Sequence, residues 1–175
     1  NHEISQPSMQ VRSDDNFEEI ISEIITILST GINSVGFVSP SHMIPQMLKI
    51  ISGIHEKGYK PVIIYNSNGY DKPETLRSLE GLIYVYLPDF KYADGDLGRK
   101  YSAAPDYPLV ARQALKEMYR QTGPKLWLDD EGFATRGMVI RHLVLPGHPE
   151  NSVQVLKDIA EDLSNELHIS LMSQY

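Results

Sequence analysis

The chain has 175 residues, 41% of them hydrophobic, with 16 Lys and Arg against 23 Asp and Glu and a formal net charge of −7. A domain of this length withdraws about 70% of its unfolded surface from water, so one core forms without staples. The acidic balance argues against a nucleic-acid surface, which needs a basic stripe. No apolar run nears the ~20 residues of a membrane span, and Asn1-His2-Glu3 does not open a signal peptide. With no cysteine, disulfides and thiolate metal sites within these residues are excluded.

Residues 1–12 show no clean period and read as a loop. Asp15 and Glu18 suit a capped helix start, and Phe17, Ile20, Ile21, Ile24, Ile25 and Leu28 form a helical stripe ended by Gly31. Ile32 to Val38 reads as a strand closed by Ser39-Pro40. A second stripe at Ile44, Met47, Leu48, Ile51 and Ile54 stops at Gly58. Pro61 to Tyr65 is a buried strand, broken by Asn66-Ser67-Asn68-Gly69, and Pro73 opens a short helix to Leu79. Leu82 to Leu87 is the next strand, ended by Pro88-Asp89.

Lys91 to Pro105 reads as loop with one helical turn near Leu97, and Tyr107 to Gln121 as a helix terminated at Gly123-Pro124. Leu126–Leu128 and Phe133 suggest a hairpin around Asp129–Gly132. A strand from Met138 to Leu145, a helix from Val153 to Leu163 capped by Asn151 or Ser152, and a strand from Ile169 to Met172 complete the order. Apolar strands alternating with helices predict an α/β fold with parallel β/α units. No G-x-G-x-x-G and no P-loop occurs, which weakens a dinucleotide or nucleoside-triphosphate reading. Five strands led by a helix imply a missing strand ahead of it.

In a parallel β/α barrel the chemistry gathers beyond the strand C-termini. Here those ends carry Ser39-Pro40-Ser41-His42, Asn66-Ser67-Asn68-Gly69, Asp89-Phe90-Lys91, Arg141 and His142 with His148 beyond, and Ser173-Gln174-Tyr175. Taken singly, each has a plain structural reading: a turn for Asn-Ser-Asn-Gly, an exposed ion pair for Asp89 and Lys91. Arg141 and His142 alternate, so one points into the barrel and the other toward the helices. An inward arginine among Val, Ile and Leu needs an anion to meet it. His55 and His168 read as surface or packing residues, and Asp129-Asp130-Glu131 as a hairpin turn. Together the strand ends describe a pocket of amide, carboxylate, ammonium and imidazole groups suited to a zwitterionic, amino-acid-like ligand.

Taken together, the strings NHEISQ, VSPSHMIPQ, YNSNGYD, YLPDFKY, KYSAAPDYPLVARQALKEMYRQTG, RGMVIRHLVLPGH and LMSQY resemble the radical S-adenosylmethionine superfamily. The similarity is to proteins related to pyruvate formate-lyase activating enzyme. The resemblance implies a partial (β/α)6 barrel with strands two to six present and the first missing, residues 1–175 being one such domain of a longer chain. A C-x3-C-x2-C motif would then precede Asn1 and ligate a 4Fe-4S cluster outside these residues. The implied reaction is reductive cleavage of S-adenosylmethionine to methionine and a 5′-deoxyadenosyl radical, which abstracts a hydrogen atom from a glycine of a partner protein. A glycyl-radical protein as substrate, flavodoxin or ferredoxin as electron donor and a cytoplasmic location follow from the same resemblance.

Site residues carry over unevenly. Pro40-Ser41-His42-Met43 stands where relatives place Gly-Gly-Glu-Pro, leaving the cofactor's ammonium to Ser41 and backbone carbonyls, with His42 beside them. Ser67, Asn68 and Gly69 match a Thr-Asn-Gly that contacts ribose or carboxylate, and Asp89 and Lys91 match an Asp-x-Lys outright. Arg141 and His148 complete the expected cofactor-binding set. Two other readings stand beside this one. In the first, the chain is a cluster-less module that binds S-adenosylmethionine or another amino acid. In the second, it is a hydrolase or aldolase barrel with a divalent metal on His42, His142, His148 and Asp89, against which no His-x-His or His-x3-His pair is present. The open edge near Ile32–Val38 is expected to self-associate or to be covered by residues 1–12.

Overall fold

The computed structural model describes residues 15–173. The expected loop at residues 1–12, its role over the open edge, and the Gln174-Tyr175 end lie outside the described residues. The chain divides into two compact units, one of residues 15–33 and Met43–Pro61 among those described, the other of Ser34–His42 and Val62 onward.

The first unit pairs α1 (Asp15–Leu28) with α2 (Ile44–Glu56). Ile21 of the predicted stripe is buried and packs where Gly53 leaves room: a Cβ there would lie 2.3 Å from Ile21 Cδ1. Gly31 and Gly58 follow the two helices at φ +102° and +88°, a conformation that removes the Cβ penalty of stopping a helix.

The second unit holds the sheet. Its strands are β1 (Ser34–Val38), β2 (Val62–Ser67), β3 (Val85–Pro88), β4 (Trp127–Leu128), β5 (Ala134–Leu143) and β6 (His168–Met172). Four parallel pairings join them in the order β1-β2-β3-β5-β6, and β4 pairs antiparallel with the start of β5. The α/β expectation thus holds as a six-stranded, mostly parallel sheet. No pairing closes β1 onto β6 among the described residues. Helices α3 (Pro73–Ser78), α4 (Gly95–Ser102), α5 (Tyr107–Thr122) and α6 (Pro149–Asp162) connect the strands.

Four elements differ from expectation, among them β5, which begins at Ala134 instead of Met138 and ends at Leu143 instead of Leu145. The stretch read as loop after Lys91 contains the two-turn helix α4, capped by Asp94, whose carboxylate accepts from the Asp96 amide at 2.8 Å. Two glycines and two basic residues there hide an apolar period, so the cap and not the stripe was the available signal. The third strand begins at Val85 instead of Leu82, because Gly81 (φ +82°) prolongs the turn after α3. Helix α6 starts at Pro149, so Asn151 and Ser152 lie inside it and neither caps it.

The two sheet faces differ. Paired residues of parallel neighbours share a face, and successive residues alternate. Ile63, Tyr65 and Ser67 of β2, Tyr86 and Pro88 of β3, and Met138, Ile140 and His142 of β5 form one buried face. Helices cover it: the Tyr86 hydroxyl donates to Gln121 of α5 at 2.7 Å, and Gln121 donates to the Leu76 carbonyl of α3 at 3.0 Å. Fully burying each large side chain here contributes about 1.5–3 kcal/mol. The opposite face carries Ile64, Asn66, Leu87, Asp89, Val139 and Arg141, all half-buried.

Candidate functional site

The polar end of that half-buried face is the candidate site. β3 ends at Pro88, and one further parallel bridge sets Asp89 beside Arg141 of β5. Arg141 Nη1 donates to Asn66 Oδ1 at 2.7 Å, its Nε lies 3.4 Å from Asp89 Oδ1, and Lys91 Nζ lies 3.4 Å from Asp89 Oδ2. The counter-ion that an inward arginine demands is therefore internal. Asp89 Oδ1 is buried and within ion-pair range of Arg141 but makes no hydrogen bond. One carboxylate against an ammonium and a guanidinium leaves the cluster one positive charge in excess, so it attracts an anionic group.

His142, the next residue, points the other way. It is fully buried, with Nδ1 2.7 Å from the Phe90 carbonyl and Nε2 2.8 Å from Ser152 Oγ of α6. A carbonyl only accepts, so Nδ1 donates to Phe90, and Nε2 shares its hydrogen bond with the serine hydroxyl. Asn151 of α6 holds the same loop: its Nδ2 donates to the Lys91 carbonyl and its Oδ1 accepts from the Ala93 amide, both at 2.9 Å. The segment that carries Asp89 and Lys91 is thus fastened by side chains from β5 and α6.

The other expected residues fall elsewhere. Ser67 lies on the helix-covered face, where its hydroxyl accepts from the Gly69 amide at 3.1 Å. Asn68 is exposed and its Oδ1 accepts from the Tyr70 amide at 2.9 Å, so both side chains build the turn. Ser41 donates to Asp71 Oδ1 at 2.6 Å, as does the buried Tyr65 phenol at 2.8 Å. Burial, reinforced by the Asp71 charge, pushes the Tyr65 phenol well above its ordinary 10.0. His42 sits exposed in a single 3-10 turn over Pro40–His42.

His148 opens α6, its Nε2 3.1 Å from the Tyr101 hydroxyl and its Nδ1 3.4 Å from Glu150. Among the described residues no group of three or more His, Asp or Glu is arranged to hold a metal ion, so the divalent-metal reading gains no support from the geometry. His142 has both nitrogens committed, which removes it from any such set. Asp129 accepts from the amides of Glu131 and Phe133, as a hairpin turn requires.

Sequence reasoning passed over two participants. The sequence places Asn66 at the start of a turn, yet β2 runs on through Ser67 and sets it on the face of Arg141. Alternation counted from Ile64 would have found it. Asn151 was read as a helix cap, and no local pattern reveals a partner 60 residues away.

No protein-family model matches the chain. Over 133 residues, 75% of the chain, it is 29% identical to an uncharacterized protein of Methanocaldococcus jannaschii. The chain spans about a third (34%) of that relative's length. No helix among the described residues is long and apolar enough to cross a membrane.

Proposed function

We propose that this chain is the S-adenosylmethionine-binding body of a radical S-adenosylmethionine enzyme of the activating type, its sheet forming part of a (β/α)6 barrel. The observation that carries the reading is the convergence of Asn66, Asp89, Lys91 and Arg141 at the C-terminal ends of three neighbouring parallel strands. The five parallel strands, paired in the order β1-β2-β3-β5-β6, also suit a sheet that curls in one direction.

The donor set fits a zwitterion. Lys91 and Arg141 would take the carboxylate of the methionine moiety, while Asp89, with a buried oxygen that makes no hydrogen bond, and the exposed Asn68 would take donors from the ligand. When bound, the sulfonium supplies a carbon–sulfur bond that opens on one-electron reduction. The residues here bind and orient it and limit its access to water. An iron–sulfur cluster does not fit these residues, since they include no thiolate. A glycyl-radical protein as substrate and flavodoxin or ferredoxin as donor belong to the same proposal. The missing thiolates favour one second reading, a module that binds S-adenosylmethionine or another amino acid without cleaving it.

Calorimetric titration of the chain with S-adenosylmethionine tests the binding common to both readings. Saturable one-to-one binding, lost in Asp89→Asn and Lys91→Gln, is expected, and no heat from the wild-type chain would overturn it. Anaerobic reconstitution of the gene's full product with iron and sulfide separates the two. Reductive cleavage of the cofactor supports the enzyme, and a colourless product that binds but does not cleave supports the module.

A further inference from the structure

Two loops form the mouth of the candidate site, one after β2 and one after β3, and a single oxygen joins them. The Tyr107 hydroxyl lies 2.9 Å from the Asn68 carbonyl and 3.0 Å from the Asp89 carbonyl, to which it donates, and it accepts from the Lys91 amide at 3.1 Å. Asn68, Asp89 and Lys91 therefore share one partner, which comes from neither loop but from the first turn of α5.

The loops also touch each other at that point. Gly69 has φ +78°, and a Cβ there would stand 2.1 Å from the Asp89 carbonyl oxygen and 3.2 Å from the Tyr107 hydroxyl. Only glycine permits this approach. The phenol is 3% exposed and its ring is fixed by a stacked Tyr70 and an edge-on Tyr92, with centroids 6.1 and 5.2 Å away. Burial pushes the hydroxyl well above its ordinary 10.0, so it stays a donor through the neutral range.

We infer that Tyr107 is the positioning residue of the site, its hydroxyl setting the distance between the Asn68 loop and the Asp89–Lys91 loop. The hydroxyl of Tyr107 is committed to three backbone groups. It acts through the backbone, where an error of about 1 Å in a placed group is enough to lose productive geometry. Asn151 and His142 hold the far side of the same segment, and Arg141 links Asn66 to Asp89 at the strand ends, whereas the phenol ties the backbones of the two loops themselves.

Tyr107→Phe keeps the ring and removes the oxygen. The inference rests on the proposed binding function for one readout only, the affinity for S-adenosylmethionine, which is expected to weaken about tenfold. The second readout needs no ligand: the Lys91 amide, which donates to the phenol, is expected to exchange with solvent about tenfold faster or more, while exchange in the interior of α5 is unchanged. Tyr92→Phe, which removes a hydroxyl bonded to Ser102 in the same aromatic cluster, serves as control and should alter neither. Gly69→Ala, whose methyl would drive the Asp89 carbonyl away and crowd the phenol oxygen while leaving that oxygen in place, should reproduce both changes. Unchanged Lys91 exchange in Tyr107→Phe overturns the inference, as does unchanged affinity where the wild type binds. A wild type that does not bind sinks the proposed function instead, and amide exchange alone then decides the role of Tyr107.

Discussion

Asp89 and Arg141 stand opposite each other across a single parallel bridge, and the Phe90 amide donates to the Arg141 carbonyl at 2.9 Å immediately beyond it. The last hydrogen bond between β3 and β5 thus fixes the ion pair at the mouth. With side-chain exposures of 16% and 31%, the pair lies between the surface and buried cases. Arg141→Met is expected to lower stability by about 1 kcal/mol in urea denaturation. An unchanged midpoint with unchanged slope would show that the bridge, not the charges, holds the strands.

Tyr65 and Asp71 give a sharper test of burial. Asp71 is 2% exposed, and Tyr65 is one of its two donors. Tyr65→Phe leaves a buried carboxylate with Ser41 alone, a loss of about 1–3 kcal/mol. Ser41→Ala removes the other donor, and since both act on Asp71 Oδ1 the two losses should not add. A double variant that is simply additive in denaturation would refute a shared acceptor.

Acid should unfold the chain through its helix pairs. The Arg120 hydrogen bond, then Gln121 and the charge of Arg77, hold Glu117 below its ordinary 4.5. Lys116, then Arg112, hold Asp162 below 3.8. A carboxylate with a lowered folded-state value contributes stability that is complete above its unfolded-state value and is lost as pH falls through the folded one. The unfolding free energy is therefore expected to be level above pH 4.5 with respect to these groups and to fall below it. Glu117→Gln should flatten that fall, and an identical slope in the variant would assign it to other groups.

β1 leaves one edge unpaired among the described residues, and Ser-Val-Gly-Phe-Val carries no charge to guard it. We propose that the isolated chain self-associates through this edge, where Val38 is 75% exposed. Sedimentation should show a concentration-dependent dimer or larger species, shifted toward monomer by Val38→Lys. A monomer at every concentration would contradict it.

The strongly periodic elements were legible. α1, α2 and α5 announced themselves by stripes and by the glycines behind them, and β2 and β6 by short apolar runs between turn residues. Asp89 and Lys91 were legible as a pair because spacing by two puts side chains on one side. The partner of Arg141 was not, since Asn66 is 75 residues away and chain pattern carries no register between strands. Ser67 looked like a ligand because its neighbours were polar, and its orientation follows from where β2 ends. Tyr107 looked like an ordinary helix start, and only three converging backbone groups reveal its place.

β5 places a guanidinium at the mouth and an imidazole in the core at consecutive positions, and its phase is set at Gly137. That residue has φ +136°, and a Cβ on it would stand 2.7 Å from the Lys125 carbonyl. A one-residue insertion or deletion between Gly137 and Arg141 would exchange the two faces. An insertion would drive a permanent cation against Ser152, and a deletion would bring histidine out beside Asp89. Point substitutions along this stretch should therefore be borne far more readily than any change in its length.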